Sequence, residues 1–299
     1  MQVLVTGGSG FVGREVVRQL LERGHRVRVL ARGTRGGVEG VETVAGTILE
    51  PVGLRRACEG CDAVIHLVGI ITELKEQTYE AVHVRGTQNL LSAATAAGVR
   101  RWIHMSAMGA GPESEARYHR SKWAAEGLVR GGGMAWTIFQ PSIVYGAGDG
   151  FVNLFAGMSR WSPVLPLMGG GRMRFQPVAV EDVARCFVGA LDRPETVGKV
   201  YEVGGRERFT LREILEEILK ATGRRRWLMP VPWWLGELQA RVLEWVFPRV
   251  LGKGSPLNRD QLRMLRRDTV GDEAPMIRDF GFEPVRFREG IRKYVPRSK

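Results

Sequence analysis

The residues "QVLVTGGSGFVGREVVRQLLERG", 2–24, constrain the fold more than any other stretch of the chain. An apolar strand, "QVLVTG", runs into four glycines within residues 7–13, and an amphipathic helix follows and stops at Gly24. Gly8, Gly10 and Gly13 spell G-x-G-x-x-G, and Gly7 adds a G-x-x-G-x-x-G reading. The spacing alone is common. Between a strand and a helix it has a mechanism, because glycines permit the tight turn and let backbone N–H groups approach a pyrophosphate at the helix N-terminus.

The next hundred residues repeat the alternation. Strands are expected at 26–32, 41–46, 62–69, 101–107 and 135–141, with helices between them, one through "AVHVRGTQNLLSAATAAG" and one carrying Tyr118. "DAVIHLVG" is almost continuously apolar, as a strand buried on both faces should be. Strands alternating with helices imply right-handed crossovers and a doubly wound parallel sheet, an α/β Rossmann fold. Residues 1–145 read as a dinucleotide-binding domain, rejoined by a strand, helix and strand over about 176–203, and 146–299 as a smaller, mostly helical substrate lobe. "SPVLPLMGGGRMRF" reads as loop.

The second strand bears on which dinucleotide is bound. An NAD site places Asp or Glu about twenty residues after the glycines, to hold a ribose hydroxyl. Here Arg32 ends the strand and Arg35 follows, with no acid beside them. Guanidinium groups bind a 2′-phosphate bidentately, so NADP is expected ahead of NAD. Further on, Tyr118 and Lys122 stand one helical turn apart, on one face. A lysine ammonium beside a phenol favours the phenolate, and a tyrosine so tuned can give a proton to a carbonyl or take one back. The same ammonium can reach a cofactor ribose.

Composition excludes several alternatives. With 299 residues, 44% hydrophobic and 25% charged, the chain has the balance of a globular protein, and no run of eighteen apolar residues suggests a spanning helix. The first residues carry no basic and apolar leader, so a cytoplasmic location is expected, with a peripheral place at the inner face of a membrane as the alternative. The formal charge of +12 comes mostly from scattered arginines. No recognition module accompanies it, which disfavours nucleic acid and leaves a nucleotide or an anionic lipid surface as the counterpart. Of the three cysteines, Cys58, Cys61 and Cys186, the first two form C-x-x-C without a second ligand pair, and they read as small residues at a helix-to-strand turn rather than a metal or redox site. In "RRRWLMPVPWWLGELQARVLEWVFPRV", 224–250, Trp234, Leu235, Leu238, Val242, Trp245 and Val246 share a helical face. That helix is expected to pack on the lobe's core; the alternatives are contact with a membrane or membrane-bound complex, or a roof over an apolar substrate.

With the glycine motif, "DAVIHLVG", "HVRGTQNLL", "YHRSK" and "QPSIVYG" in order, the chain resembles the extended or atypical short-chain dehydrogenases/reductases, the NAD-dependent epimerase/dehydratase type. "HMSAMGA", "SPVLPLMGGGRMRFQPVAVEDVA" and "YEVGG" are similar to the branch containing the nucleotide-binding accessory subunit of respiratory complex I and its stand-alone bacterial relatives. The resemblance implies that Gly7, Gly10, Phe11, Val12 and Gly13 wrap the pyrophosphate and Arg32 the 2′-phosphate. It places Thr47 and Ile48 beside adenine, Leu67, Val68 and Gly69 along the cofactor, and Pro141, Ser142 and Ile143 facing the nicotinamide. Tyr118 and Lys122 take the places of the catalytic pair, with Ser106 as the third candidate. The family's hydroxyl commonly lies one position later, at Ala107, while His83 and Gln140 stand where Asn and Arg are common. Two functions are therefore open: an oxidoreductase acting on a small carbonyl or sugar-type substrate, and an NADPH-binding accessory or assembly protein.

Overall fold

The computed structural model describes residues 1–33, 40–252 and 254–295. The apolar runs become strands β1 (Gln2–Thr6), β2 (Arg26–Ala31), β3 (Val41–Ala45), β4 (Ala63–His66), β5 (Arg101–Met105) and β6 (Ala135–Pro141). Further strands follow, β7 (Val144–Tyr145), β8 (Val164–Met168), β9 (Arg174–Phe175) and β10 (Val178–Ala179), then β11 (Lys199–Val203), β12 (Phe209–Thr210) and β13 (Trp227–Val231). Seven of them form one parallel sheet in the order β3-β2-β1-β4-β5-β6-β11. The sheet runs one way from β1 and then the other from β4, so a crevice opens between the carboxyl ends of these two strands, where such sheets bind ligands.

The helices are α1 (Phe11–Glu22), α2 (Leu54–Cys58), α3 (Gly86–Ala96), α4 (Arg117–Gly131), α5 (Val152–Trp161) and α6 (Val180–Gly189), then α7 (Leu211–Thr222), α8 (Trp233–Val246), α9 (Arg259–Leu265), α10 (Ala274–Phe280) and α11 (Phe287–Arg292). One face of the sheet buries Val16, Val17 and Leu20 of α1 with Val183 and Phe187 of α6 and Phe280 of α10. The other buries Leu54 of α2, Leu90 and Leu91 of α3 and Val129 of α4 around Trp102 of β5. A third cluster, around Tyr145, Phe209, Ile214 and Phe287, lies beyond the sheet. α7 shows why a local signal suffices: Thr210 caps it with a reciprocal bond to Glu213, and Gly223 ends it at φ +70°.

Three expectations are corrected. β4 and β5 stop at His66 and Met105, so residues 67–69 and 106–107 are loop at the sheet's carboxyl edge. The helix through 81–98 begins as a π-helical turn, Glu80–Arg85, before continuing as α3. The stretch expected as loop at 162–175 contains β8, which pairs in parallel with β13 from Val164↔Trp227 to Met168↔Val231. Cys58 and Cys61 lie at the turn from α2 into β4, as expected, with free buried thiols whose pKa values burial pushes up.

Candidate cofactor and catalytic site

The glycine turn is built by backbone contact. Gly7 has φ +77°, and the Gly10 N–H donates to the Gly7 carbonyl at 2.9 Å. A Cβ at Gly13 would sit 2.0 Å from the Gly7 oxygen and 2.7 Å from Gly8 Cα, so only glycine lets α1 start this close to the turn. At Gly7 a Cβ would lie 3.1 Å from the Leu67 carbonyl carbon, which brings the turn against the end of β4. α1 has no side-chain cap and no acid in its first turn, and Gly10 precedes it in extended conformation. Its first N–H groups and the positive end of its dipole therefore remain for an anion. These residues fit a dinucleotide pyrophosphate.

Around that turn the expected lining residues gather. Arg32 leaves β2 exposed, without an ion pair or side-chain hydrogen bond to a described residue; Arg35 lies outside the described residues. Ile48 is buried, with Cδ1 where a Cβ on Gly86 would be 2.5 Å away, and its carbonyl accepts from Asn89 at 3.0 Å. Thr47, before it, is half-buried. Leu67 and Val68 are half-buried and Gly69 is exposed, with the Leu67 N–H held by the Thr6 carbonyl at 3.0 Å.

α4 brings Tyr118 and Lys122 to the same edge. Lys122 is 3% exposed; its Nζ donates to the Met105 carbonyl, and a Cβ on Gly69 would lie 3.7 Å from it. Burial lowers its pKa to about 8, opposed by the Glu126 carboxylate one turn on, which Arg130 and Gln140 hold at 2.6 and 2.7 Å. Gln140, at a position where Arg is common, thus serves this buried carboxylate. Tyr118 is half-buried, and its hydroxyl makes no hydrogen bond to a described residue. Burial pushes its pKa up to about 12. This differs from the expectation that Lys122 favours the phenolate: desolvation dominates, and the ammonium is engaged with the Met105 carbonyl instead.

A layer of buried histidines supports the pair. His83, on the π-helical turn, accepts the Ile70 N–H at Nε2 (2.9 Å), which leaves Nδ1–H to meet Ser121 Oγ at 2.8 Å. Ser121 donates in turn to the Tyr118 carbonyl at 2.7 Å. His83 therefore ties the loop after β4 to the helix of Tyr118, whose ring it meets edge-on at 5.5 Å. His66 lies 2.6 Å from Thr6 Oγ1 and 3.1 Å from Thr87 Oγ1. Burial and the Lys122 charge keep His66, His83 and His104 neutral, the first two at pKa values of about 3 and 2. Replacing His83 by Phe should leave the fold in place and weaken dinucleotide binding about threefold to tenfold, one buried hydrogen-bonded tether. Fluorescence titration with the reduced dinucleotide checks this; unchanged affinity would show that the tether does not order the loop.

Other expected residues have different duties. Ser142 Oγ donates to the Thr269 carbonyl at 3.1 Å and accepts from the Gln176 N–H, while the Ser142 N–H donates to Val203. Its hydroxyl thus ties the end of β6 to the C-terminal chain. Pro141 is buried at the end of β6, and Ile143 packs at the margin of the third cluster. Ser106 is buried just beyond β5, its Oγ without a partner among the described residues, as are both ring nitrogens of His104. Sequence reasoning missed Asp260. From α9 it accepts the N–H groups of Arg117 and Tyr118, both at 2.8 Å, and so caps α4 where Ala116 cannot. No local signal joins residues 142 positions apart. His66 and His104 did leave one, since each follows an apolar strand run, and the sheet places them opposite each other.

The glycine-turned N-terminus of α1 thus lies at the switch point of the sheet, with Tyr118 and Lys122 of α4 beside the adjacent strand ends. The model of the NAD dependent epimerase/dehydratase family matches residues 3–204, and the chain belongs to that family. It is 30% identical over 301 residues to NADH dehydrogenase (ubiquinone) 1 alpha subcomplex subunit 9, mitochondrial, of Arabidopsis thaliana, covering 95% of this chain and 74% of that one. To a ceramide reductase of Caulobacter vibrioides it is 34% identical over 239 residues, covering 77% and 73%. The structure of a Thermus thermophilus UDP-glucose 4-epimerase in complex with NAD matches with a TM-score of 0.72 at 27% identity, over 99% and 98% of the two chains.

Proposed function

We propose that the protein is an NADP(H)-dependent reductase that moves hydride to or from a carbonyl or sugar-type substrate, with Tyr118 as proton donor and Lys122 on the nicotinamide ribose. The observation that carries this is the meeting of Lys122, Gly69 and the Gly7–Gly13 turn at one edge of the sheet, with Lys122 on the helix of a phenol whose hydroxyl makes no hydrogen bond to a described residue. A bound NADPH would supply the hydride. A tyrosine phenol is protonated at neutral pH, with or without the burial that raises the Tyr118 pKa to about 12, and a protonated phenol is the state that can donate to a carbonyl oxygen gaining negative charge. Leu67, Val68 and Gly69 would line the cofactor and Thr47 and Ile48 the adenine, with residues 1–145 as the dinucleotide domain and 146–299 as the lobe that holds substrate. A ceramide reductase among the relatives supports a carbonyl on an amphiphilic molecule.

Arg32, exposed at the end of β2 with no acid beside it in sequence, supports NADP over NAD. The unmodified protein should bind NADPH at least about tenfold more tightly than NADH, and Arg32→Asp should narrow or reverse that ratio. Equal affinity of the unmodified protein for both dinucleotides, measured by fluorescence titration, would remove the NADP assignment. Single-turnover oxidation of bound NADPH against a panel of long-chain carbonyls, quinones and nucleotide sugars tests the reductase itself.

Ala107 favours a second reading. With alanine where the family commonly has a hydroxyl, and Ser106 Oγ buried, the site has less to polarise a substrate carbonyl with. A catalytically quiet NADPH-binding accessory or assembly protein, as the complex I relative suggests, would bind NADPH and oxidise it with none of the panel. In either case a peripheral contact with a membrane or membrane complex, through residues 224–250, belongs to the proposal.

A further inference from the structure

α8 is inside out. On an ordinary surface helix the apolar stripe faces the core. Here Gly236 and Ala240 are the buried residues, and a Cβ at Gly236 would meet Met168 Cε at 2.1 Å, so small side chains seat the helix on the lobe. Trp234, Leu238, Val242 and Trp245 fall within about 80° of one another on the opposite face. They are 67%, 52%, 53% and 60% exposed. The apolar face expected to pack on the lobe's core is thus turned to solvent, Val246 alone of the six being half-buried there with Phe247 after it. Trp227 and Trp161, 82% and 83% exposed, add two indoles where β13 begins beside β8. No helix among the described residues is long and apolar enough to cross a membrane.

The charge around this surface has one sign. Residues 224–250 contain five arginines and two glutamates. Both glutamates are already paired, Glu237 with Arg266 at 2.6 Å and Glu244 with Arg259 at 2.8 Å. Arg160, Arg225, Arg241 and Arg249 make no ion pair among the described residues. The Arg160 guanidinium lies 5.3 Å over the Trp161 ring, and that of Arg249 5.1 Å over Trp245. Indoles beside unneutralised guanidinium groups match the boundary between acyl chains and lipid phosphates. A second copy of this chain would bring the same positive charge to the contact, which disfavours self-association.

We infer that the exposed face of α8, with Trp234, Leu238, Val242 and Trp245 inserted and Arg241 and Arg249 on the phosphates, docks the protein on an anionic lipid surface. This deepens the peripheral contact proposed above. Its readout is lipid binding, so its failure leaves the reductase assignment to the turnover experiment.

The test uses the full chain with protein-free vesicles of phosphatidylcholine alone and of phosphatidylcholine with phosphatidylglycerol. Co-sedimentation is expected with the anionic vesicles at low salt, accompanied by a blue shift of tryptophan emission. Trp234→Ser combined with Trp245→Ser should reduce vesicle affinity at least about tenfold, and Arg241→Glu with Arg249→Glu should do the same. Both pairs are exposed, so thermal midpoint and dinucleotide binding should not move. Absence of binding at low salt would overturn the inference, and so would binding indifferent to the tryptophan pair. Dimer formation lost in the tryptophan variant, without vesicle binding, would assign the face to a second copy instead.

Discussion

Tyr118→Phe is expected to cut single-turnover oxidation of NADPH by about 10²- to 10⁴-fold, the contribution of one positioned proton donor. The ring should remain in place, because its contacts with His83 and Tyr79 are made by the aromatic edge and face. The hydroxyl makes no hydrogen bond to a described residue, so its removal leaves no buried partner unpaired. Thermal stability and NADPH affinity should therefore stay near those of the unmodified protein while turnover falls. A rate in Tyr118→Phe equal to that of the parent would remove tyrosine catalysis and favour the accessory-protein reading.

Lys122→Met should act in opposite directions on stability and on binding. A buried ammonium with its pKa lowered from 10.5 to about 8 marks a folded state that disfavours the charge. Relieving that is worth up to about 3 kcal/mol at neutral pH. Loss of the bond to the Met105 carbonyl offsets about 1 kcal/mol. The cofactor-free variant should thus unfold at higher denaturant concentration than the parent, by about 2 kcal/mol. The sign with pH follows from the shift. Below about 8 both folded and unfolded lysine are protonated and the parent carries the full penalty. Between about 8 and 10.5 the folded lysine is neutral while the unfolded one is still charged, so the parent gains stability as pH rises and the variant's advantage fades. Dinucleotide affinity should fall at least about tenfold, because no ammonium remains for the ribose. Denaturant titrations at pH 7 and pH 10, beside a cofactor titration, check this. A less stable variant at pH 7 would show that Lys122 is a structural residue rather than one held under strain for a ligand.

Much of the cofactor half was legible because its signals are local. A glycine with φ +77° followed by one that a Cβ would drive into a carbonyl can be read from spacing between a strand and a helix. The one-turn spacing of Tyr118 and Lys122 likewise put both on α4. Helix α8 shows the limit. Its apolar positions share a face, as the periodicity said, but periodicity cannot say which way a face points. That depended on Gly236 and Ala240 fitting against Met168 and Leu262, residues far away in the chain.

By itself the sequence determined the parallel sheet, the turn at residues 7–13 and the place of Tyr118 and Lys122 one turn apart on a single helix, because each rests on contacts within one or two elements. Only the tertiary structure decided how the pair is tuned and held. It buried Lys122 against Met105, raised the Tyr118 pKa by desolvation, set Asp260 on the start of α4 and tied the loop at Ile70 to Ser121 through His83. Desolvation and long-range hydrogen bonds depend on what surrounds a side chain in space, and spacing along the chain does not encode that.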